Sequence, residues 1–241
     1  MPLSLLCTQL THFIGSSSMY TGRKLSKFTS CSTQAELPPT PKEMSCWSCQ
    51  HRFQQGGVVC SGCDKIQPLD TSLNYFEVLG MPNMQFDLDL EMLEKQYKRL
   101  QWQIHPDRLA ARTPQEQDYS AQSVMHINVA YGVLRHPLSR ANYILAQRGI
   151  INEVDSEGAS ISDLDFLNEV MDLRERVDET SDIAPLQSLL TANKEQQRQL
   201  IQRLSSALAS PCGSSEAVTL AFQLTYVCKL EEAIVKKLPE L

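Results

Sequence analysis

From Asp70 to Leu238 apolar residues recur at intervals of three and four and do not alternate singly, so the pattern predicts helix after helix. "DTSLNYFEVLG" reads as a short helix capped at Asp70 or Thr71 and ended by Gly80, with Pro82 blocking continuation. In "DLDLEMLEKQYKRLQWQIH", Leu90, Leu93, Tyr97, Leu100 and Ile104 make one apolar face, and Lys95, Lys98 and Arg99 lie off it. A longer helix opens at Thr113-Pro114, a cap followed by proline in the first turn, and runs to about Arg135. Val124, Ile127, Ala130, Tyr131 and Leu134 form its buried stripe, and "HPLSRANYILAQRG" adds a shorter helix stopped at Gly149. The polar stretch to Ser162 reads as a linker. Three further helical patterns follow, at 163–179, 183–208 and 215–238, and long helices with short connections imply an antiparallel bundle. The fold class is mostly α, with one helical region over 70–149 and a second over 163–241.

The first helix of the bundle carries more apolar residues than one core face needs. Phe166, Val170, Leu173 and Val177 fall on one arc, and Leu164, Leu167 and Met171 on another about 100–120° away. One arc can face the bundle. The other, flanked by Asn168, Asp172 and Glu175, is an apolar strip bordered by acids, the composition of a protein-binding patch. The bland alternative buries both arcs. In the last helix Leu220, Leu224, Val227, Ile234 and Leu238 form the core arc, with Tyr226 pointing off it towards the same patch. Between Glu153 and Asp182 eleven acidic residues stand against Arg174 and Arg176, which suits a basic partner.

Charge narrows the function classes. With 28 acidic against 22 basic residues the net charge is −6, which does not suit a general nucleic-acid binder. No apolar run approaches the roughly 20 residues that span a bilayer, so no membrane insertion is expected. The first 35 residues contain no Asp or Glu, three basic residues (Arg23, Lys24, Lys27) and many Ser and Thr, a composition that suits an organellar transit peptide. A secretory signal and a disordered tail are the rivals. "ELPPTPK", Glu36 to Lys42, is a Pro-rich spacer, so 1–42 reads as leader and spacer.

Four of the eight cysteines form two C-x-x-C pairs, "CWSC" (Cys46, Cys49) and "CSGC" (Cys60, Cys63), with ten residues between the pairs. Each pair sets two sulfurs on one side of a tight turn, so the four can occupy the corners of one tetrahedron in a small module at 43–69. Gly56, Gly57 and Gly62 supply turn flexibility. Zinc is the favoured ion and iron is open, because both accept four thiolates. A redox pair would want a single C-x-x-C on a βα unit. The segment has few apolar residues, so the metal serves at least to fold it. Cys7, Cys31, Cys212 and Cys228 are scattered and form no disulfide framework. Cys228 fits a small buried hydrophobe.

"QIHPDRL", Gln103 to Leu109, places His105, Pro106 and Asp107 where one helix ends, at the head of a loop between two antiparallel helices. As acid–base groups His105 and Asp107 would need a nucleophile or metal and a pocket, and none is placed nearby in the sequence. The bland reading is a helix stop with a capping aspartate. A metal-dependent redox protein or enzyme built on Cys46, Cys49, Cys60 and Cys63 with His105 as proton donor stays open as an alternative, and a nucleic-acid-binding zinc protein is a weaker one.

The succession of "NYFEVLG", a basic amphipathic helix, His-Pro-Asp, a long helix and "RHPLSRANYIL" resembles a J domain, the module by which DnaJ-type cochaperones engage DnaK-type ATPases. More narrowly, "HINVAYGVLRHPLSRANYIL" is similar to the J domain of HscB-type cochaperones of iron–sulfur cluster biogenesis. The C-terminal helices share the likeness, and the tetracysteine prefix resembles that of metazoan mitochondrial members. The resemblance implies a four-helix J domain and a three-helix scaffold-binding domain, with no chemistry on this chain. It implies that His105, Pro106 and Asp107 contact a mitochondrial DnaK-type chaperone and trigger its ATP hydrolysis, with Lys95, Lys98, Arg99 and Arg108 steering the encounter. The basic helix departs from lysine-rich J domains through Gln96, Gln101 and Gln103. The likeness also implies that Leu167, Met171, Asp172, Glu175 and Tyr226 bind the iron–sulfur scaffold protein, with Asn168 at a position often apolar in the family. Cluster-recipient proteins are further implied partners. The implied location is the mitochondrial matrix, with the cytoplasm second.

Overall fold

Helix boundaries follow from capping chemistry in the computed structural model, which describes residues 43–54, 56–150, 164–210 and 213–239. The leader and spacer assigned to 1–42 and nearly all of the linker lie outside the described residues. The first helix, α1, spans Tyr75–Val78 and is closed by a capping box: Glu77 N–H donates to Asn74 Oδ1 at 3.0 Å, and Asn74 N–H to Glu77 Oε2 at 2.8 Å. The cap is therefore not Asp70 or Thr71. Asp70 instead accepts from Ser72 N–H at 2.9 Å, a local turn that competes with helix. Gly80 ends α1 with φ of +65°, and Met81 N–H reaches back to Phe76 O at 2.8 Å, which closes a Schellman turn.

Helix α2 (Leu90–Gln103) starts at Asp89, whose carboxylate accepts from the amides of Glu91 and Met92. Leu93, Leu100 and Ile104 are buried and Tyr97 stacks on Tyr131 at 4.0 Å, as the periodicity predicts. Leu90 departs from it at 50 % exposure. As the first helical residue its side chain leans back past the helix end, where no earlier turn covers it. One turn of helix, α3 (Pro106–Leu109), precedes α4 (Pro114–Arg135), and α5 (Pro137–Gln147) follows. Helix α4 opens with a second capping box, Thr113 with Glu116, and packs against α1, α2 and α5.

The C-terminal helices are α6 (Leu164–Glu179), α7 (Ile183–Ala209) and α8 (Ser214–Lys237). Helices α7 and α8 form the main pair, and α6 packs on α8. Between α6 and α7 lies a groove of about 380 Å³ lined by Leu173, Val177, Leu189, Leu230 and Ile234. Lys237 Nζ donates to Val177 O at 2.8 Å and Asp178 O at 2.6 Å, satisfying carbonyls at the C-terminus of α6. Helix α5 also packs on α7 and α8, and Ala141, Ile144 and Leu145 belong to the same contiguous apolar cluster as Leu204, Leu220 and Leu224. The cysteine module is the one part with strands among the described residues. There β1 (Glu43–Ser45) pairs antiparallel with β2 (Arg52–Gln54) in the register Met44 to Phe53. Cys228 is half-buried against the main core.

Candidate functional site

The two C-x-x-C turns close in the same way. Gln50 N–H donates to Cys46 O and Cys46 N–H to His51 O, and the second turn repeats this with Asp64 to Cys60 O and Cys60 to Lys65 O. The residue after each pair, Gln50 (φ 61°) or Asp64 (φ 57°), takes the left-handed conformation. The turns thus bend at non-glycine residues as well as at Gly56, which takes a φ of +93° between the two pairs. Gly62 has another role: a Cβ there would stand 2.9 Å from His51 Cγ, so it permits close approach of the two knuckles.

The four sulfurs lie within 4.8 Å of one another, with Cys46–Cys63 at 3.6 Å and Cys49–Cys60 at 3.7 Å. A tetrahedral ion with metal–sulfur bonds of about 2.3 Å needs sulfurs about 3.8 Å apart, so the cysteines fit a thiolate-held metal. Amides of Ser48 and Cys49 and the Gln67 side chain point at Cys46 Sγ, and Gly62 N–H points at Cys60 Sγ, all within 3.4 Å. Burial pushes the Cys46 thiol up, but the amides of Cys49 and Ser48 outweigh it and bring it down to about 6. At Cys63 the Lys65 amide lowers the value, yet burial and the neighbouring sulfurs push it up to about 12. Four sulfurs this close cannot all ionise unless a cation balances them. Four sulfurs at these mutual distances would supply the closed four-thiolate donor set of a structural site.

His105 is the N-cap of α3, and Pro106 takes the first helical position, where its missing N–H leaves no intrahelical bond unmade. The segment read as a loop head is thus a helical turn. Asp107 N–H donates to His105 Nδ1 at 3.3 Å, and Asp107 Oδ2 stands 3.5 Å from the same nitrogen. The cap uses the Nδ1 lone pair, whereas an ion pair would need a proton there. The backbone cap is the stronger constraint, because the Asp107 side chain is 88 % exposed and can rotate away. Neither His105 nor Asp107 lines the cleft beside the turn, which is formed by Val59, Asp64, Ile66, Trp102, Gln103, Arg108, Leu109 and Arg112. The geometry presents a capped, exposed polar turn with His105 and Asp107 outside the adjoining cleft.

The basic residues around this corner are exposed but not equivalent. Lys95 and Arg99 stand open on α2. Lys98 pairs with Glu94 at 2.7 Å, which raises the ammonium above its ordinary pKa and engages part of its charge. Arg108 lies 4.0 Å over the ring of Trp102, a contact that sequence reading missed. A tryptophan six residues before an arginine, across a helix end, carries no periodic signal.

On α6, Phe166 and Val177 are buried and Val170 and Leu173 pack against the cores, while Leu164 and Met171 are 61 % and 69 % exposed. Of the two arcs, only the first is buried. Leu167 is half-buried, and Asp172 and Glu175 on the same helix are exposed. Tyr226 is half-buried against the main core, more enclosed than the helical wheel suggests, with Phe222 at 4.8 Å and Lys229 over its ring.

A short capped helix, an α2–α4 pair with the His-Pro-Asp turn at its joint, and α5 closing the core define a J-domain protein extended by a helical bundle. The family model described as the DnaJ domain matches residues 74–143, and that described as the HSCB C-terminal oligomerisation domain matches residues 162–235. The chain belongs to the HscB co-chaperone family. The iron-sulfur cluster co-chaperone protein HscB homolog of Arabidopsis thaliana is 31% identical over 194 residues, 80% of this chain and 74% of that protein. Over 165 residues, the co-chaperone protein HscB homolog of Vibrio parahaemolyticus is 34% identical, covering 67% of this chain and 95% of its own. The crystal structure of human co-chaperone protein HscB superposes with a TM-score of 0.70 at 29% identity, over 82% of this chain and all of that one.

Proposed function

We propose that this protein is a cochaperone of iron–sulfur cluster assembly acting in the mitochondrial matrix. Its J domain docks on a DnaK-type chaperone through His105, Pro106 and Asp107, and stimulates that partner's ATP hydrolysis. Lys95, Arg99 and Arg108, with the part-engaged Lys98, orient the encounter on an acidic surface. Leu167, Met171, Asp172 and Glu175 of α6, with Tyr226 of α8, capture the cluster-loaded scaffold protein. Chaperone hydrolysis then drives transfer to recipient proteins. The cluster is cargo, and the cysteine module holds zinc, a structural ion separate from it.

The single observation that carries this reading is the His105 cap. It fixes the backbone of the turn with the His105 and Asp107 side chains 51 % and 88 % exposed, which supports docking at a low cost in ordering entropy. No described helix is long and apolar enough to cross a membrane. The test is steady-state ATPase of the matching DnaK-type chaperone with scaffold present. His105→Gln should abolish the stimulation given by wild type; equal stimulation by both would end the docking reading.

A further inference from the structure

The hydrogen bonds and the ring contact between the cysteine module and the helices fall on one short stretch, Arg112 to Tyr119, immediately after the docking turn, while Val58 adds apolar packing on the main core. Ile66 N–H donates to Glu116 Oε1 at 3.3 Å. The Arg112 guanidinium donates to Asp64 O and Asp64 Oδ2, both at 2.7 Å, and to Glu116 Oε1 at 3.4 Å. Trp47 donates its indole N–H to Ile66 O at 2.8 Å and sets its ring edge-on to Tyr119.

Glu116 is 2 % exposed and serves two structures at once. Its Oε2 accepts from the amide and hydroxyl of Thr113, closing the cap of α4, while Oε1 takes the module's Ile66 amide. Arg112 serves two as well. Its side chain grips Asp64, the left-handed residue that follows Cys63, while its own N–H donates to Leu109 O at 2.9 Å, the last residue of α3. Arg108 N–H in turn donates to His105 O at 2.9 Å. A chain of short bonds thus runs from the second knuckle through Asp64 and Arg112 to α3 and the His105 cap. A module that merely covered apolar surface would not need a buried carboxylate and a forked guanidinium at this point.

We propose that Arg112 and Glu116 are positioning residues that couple the folded state of the cysteine knuckles to the docking turn. With the knuckles formed, Asp64 is fixed, Arg112 is held at both ends, and α3 is kept as a helical turn. With the knuckles opened, Arg112 loses its anchor and α3 frays. The inference rests on His105–Asp107 being the docking element, and it makes the cysteine module a determinant of chaperone engagement.

The experiment uses the full chain and two readouts: amide hydrogen exchange of the segment 104–113 by mass spectrometry, and the chaperone concentration that gives half-maximal ATPase stimulation. Stripping metal with a chelator should speed exchange in 104–113 by about fivefold, the loss of roughly one hydrogen bond's worth of local protection, and raise the half-maximal concentration similarly. Arg112→Gln should show both changes with metal still bound and respond little to the chelator. Asp64→Asn, which keeps the backbone acceptor, should fall between, and the double variant should be no worse than Arg112→Gln alone. Metal content and helical signal of each variant are recorded, so that a folding failure at Arg112 leaves Asp64→Asn and the wild-type chelation result to decide. Exchange in 104–113 and half-maximal concentration both indifferent to chelation, with His105→Gln still inactive, would overturn the coupling and leave the docking reading intact. Equal activity of His105→Gln would overturn the docking reading itself.

Discussion

The Arg108 guanidinium lies over the Trp102 indole, 4.0 Å from the ring centroid, and this tryptophan is 65 % exposed. An aromatic so open contributes little to the core; it holds a cation beside the docking turn. An exposed cation–π contact is worth about 0.5–1 kcal/mol. Trp102→Leu should therefore raise the chaperone concentration for half-maximal stimulation by about two- to fivefold while leaving the maximal rate unchanged. Its thermal midpoint should barely move, since surface changes stay within about 0.5 kcal/mol. ATPase titrations beside calorimetry check this, and an unmoved half-maximal concentration would show that Arg108 acts without its stack.

Glu116 gives an acid-sensitive contribution whose sign is fixed. Burial pushes its carboxyl up, but the Thr113 hydroxyl and amide, the Ile66 amide and Arg112 together hold it below the ordinary range. A carboxyl lowered on folding stabilises fully above its unfolded value near about 4.3, and the contribution is lost as pH falls through the folded value. Glu116→Gln should cost about 1–3 kcal/mol at neutral pH, because it leaves charged and amide donors without their carboxylate. The gap to wild type should close in acid. Urea unfolding of both metal-loaded proteins, from neutral pH down to the pH at which bound metal is first lost, measures it; a gap independent of pH over that range would remove the charge from the account.

The cysteine site predicts proton release. Because the Cys63 thiol is pushed up to about 12 by its neighbours while Cys46 is brought down to about 6, metal uptake at neutral pH must displace protons. Zinc added to stripped protein in weak buffer should acidify the solution, and Cys46→Ser with Cys49→Ser should abolish both the acidification and the bound metal. Far-UV helicity should survive in that variant, because the buried side chains of the helical core come almost entirely from α1 onwards. Undiminished metal content in it would sink the assignment.

Much of this was legible from spacing. The α2, α4 and α8 stripes, the Thr113-Pro114 start and the Gly80 stop are local patterns, and local patterns survive folding. What was not legible depends on contacts far apart in the chain. Asp64 and Arg112 are 48 residues apart, and nothing in either neighbourhood announces the other. The left-handed turns at Gln50 and Asp64 were hidden because glycine, the usual marker of that conformation, is absent from both positions. Periodicity marked both arcs of α6 as apolar, but only the packing of α8 decides which is buried.

That decision separates two kinds of substitution in the C-terminal helices. Met171 is 69 % exposed and Leu167 half-buried, whereas Leu224 in α8 is 1 % exposed in the main core. Truncating an exposed anchor removes partner contact, and truncating a buried one leaves a cavity. Leu167→Ala with Met171→Ala should weaken scaffold binding by about tenfold or more, on the order of 1–3 kcal/mol, with J-domain stimulation of the chaperone in the absence of scaffold unchanged. Leu224→Ala should cost about 2–5 kcal/mol of stability while the folded fraction keeps its scaffold affinity. Asp172→Asn with Glu175→Gln should slow association and flatten its salt dependence more than it alters dissociation, because exposed charges steer encounters. Titration calorimetry for affinity, stopped-flow for rates and urea unfolding for stability keep the effects apart. If the alanine pair left scaffold affinity unchanged within error, the exposed strip on α6 would not be the capture surface.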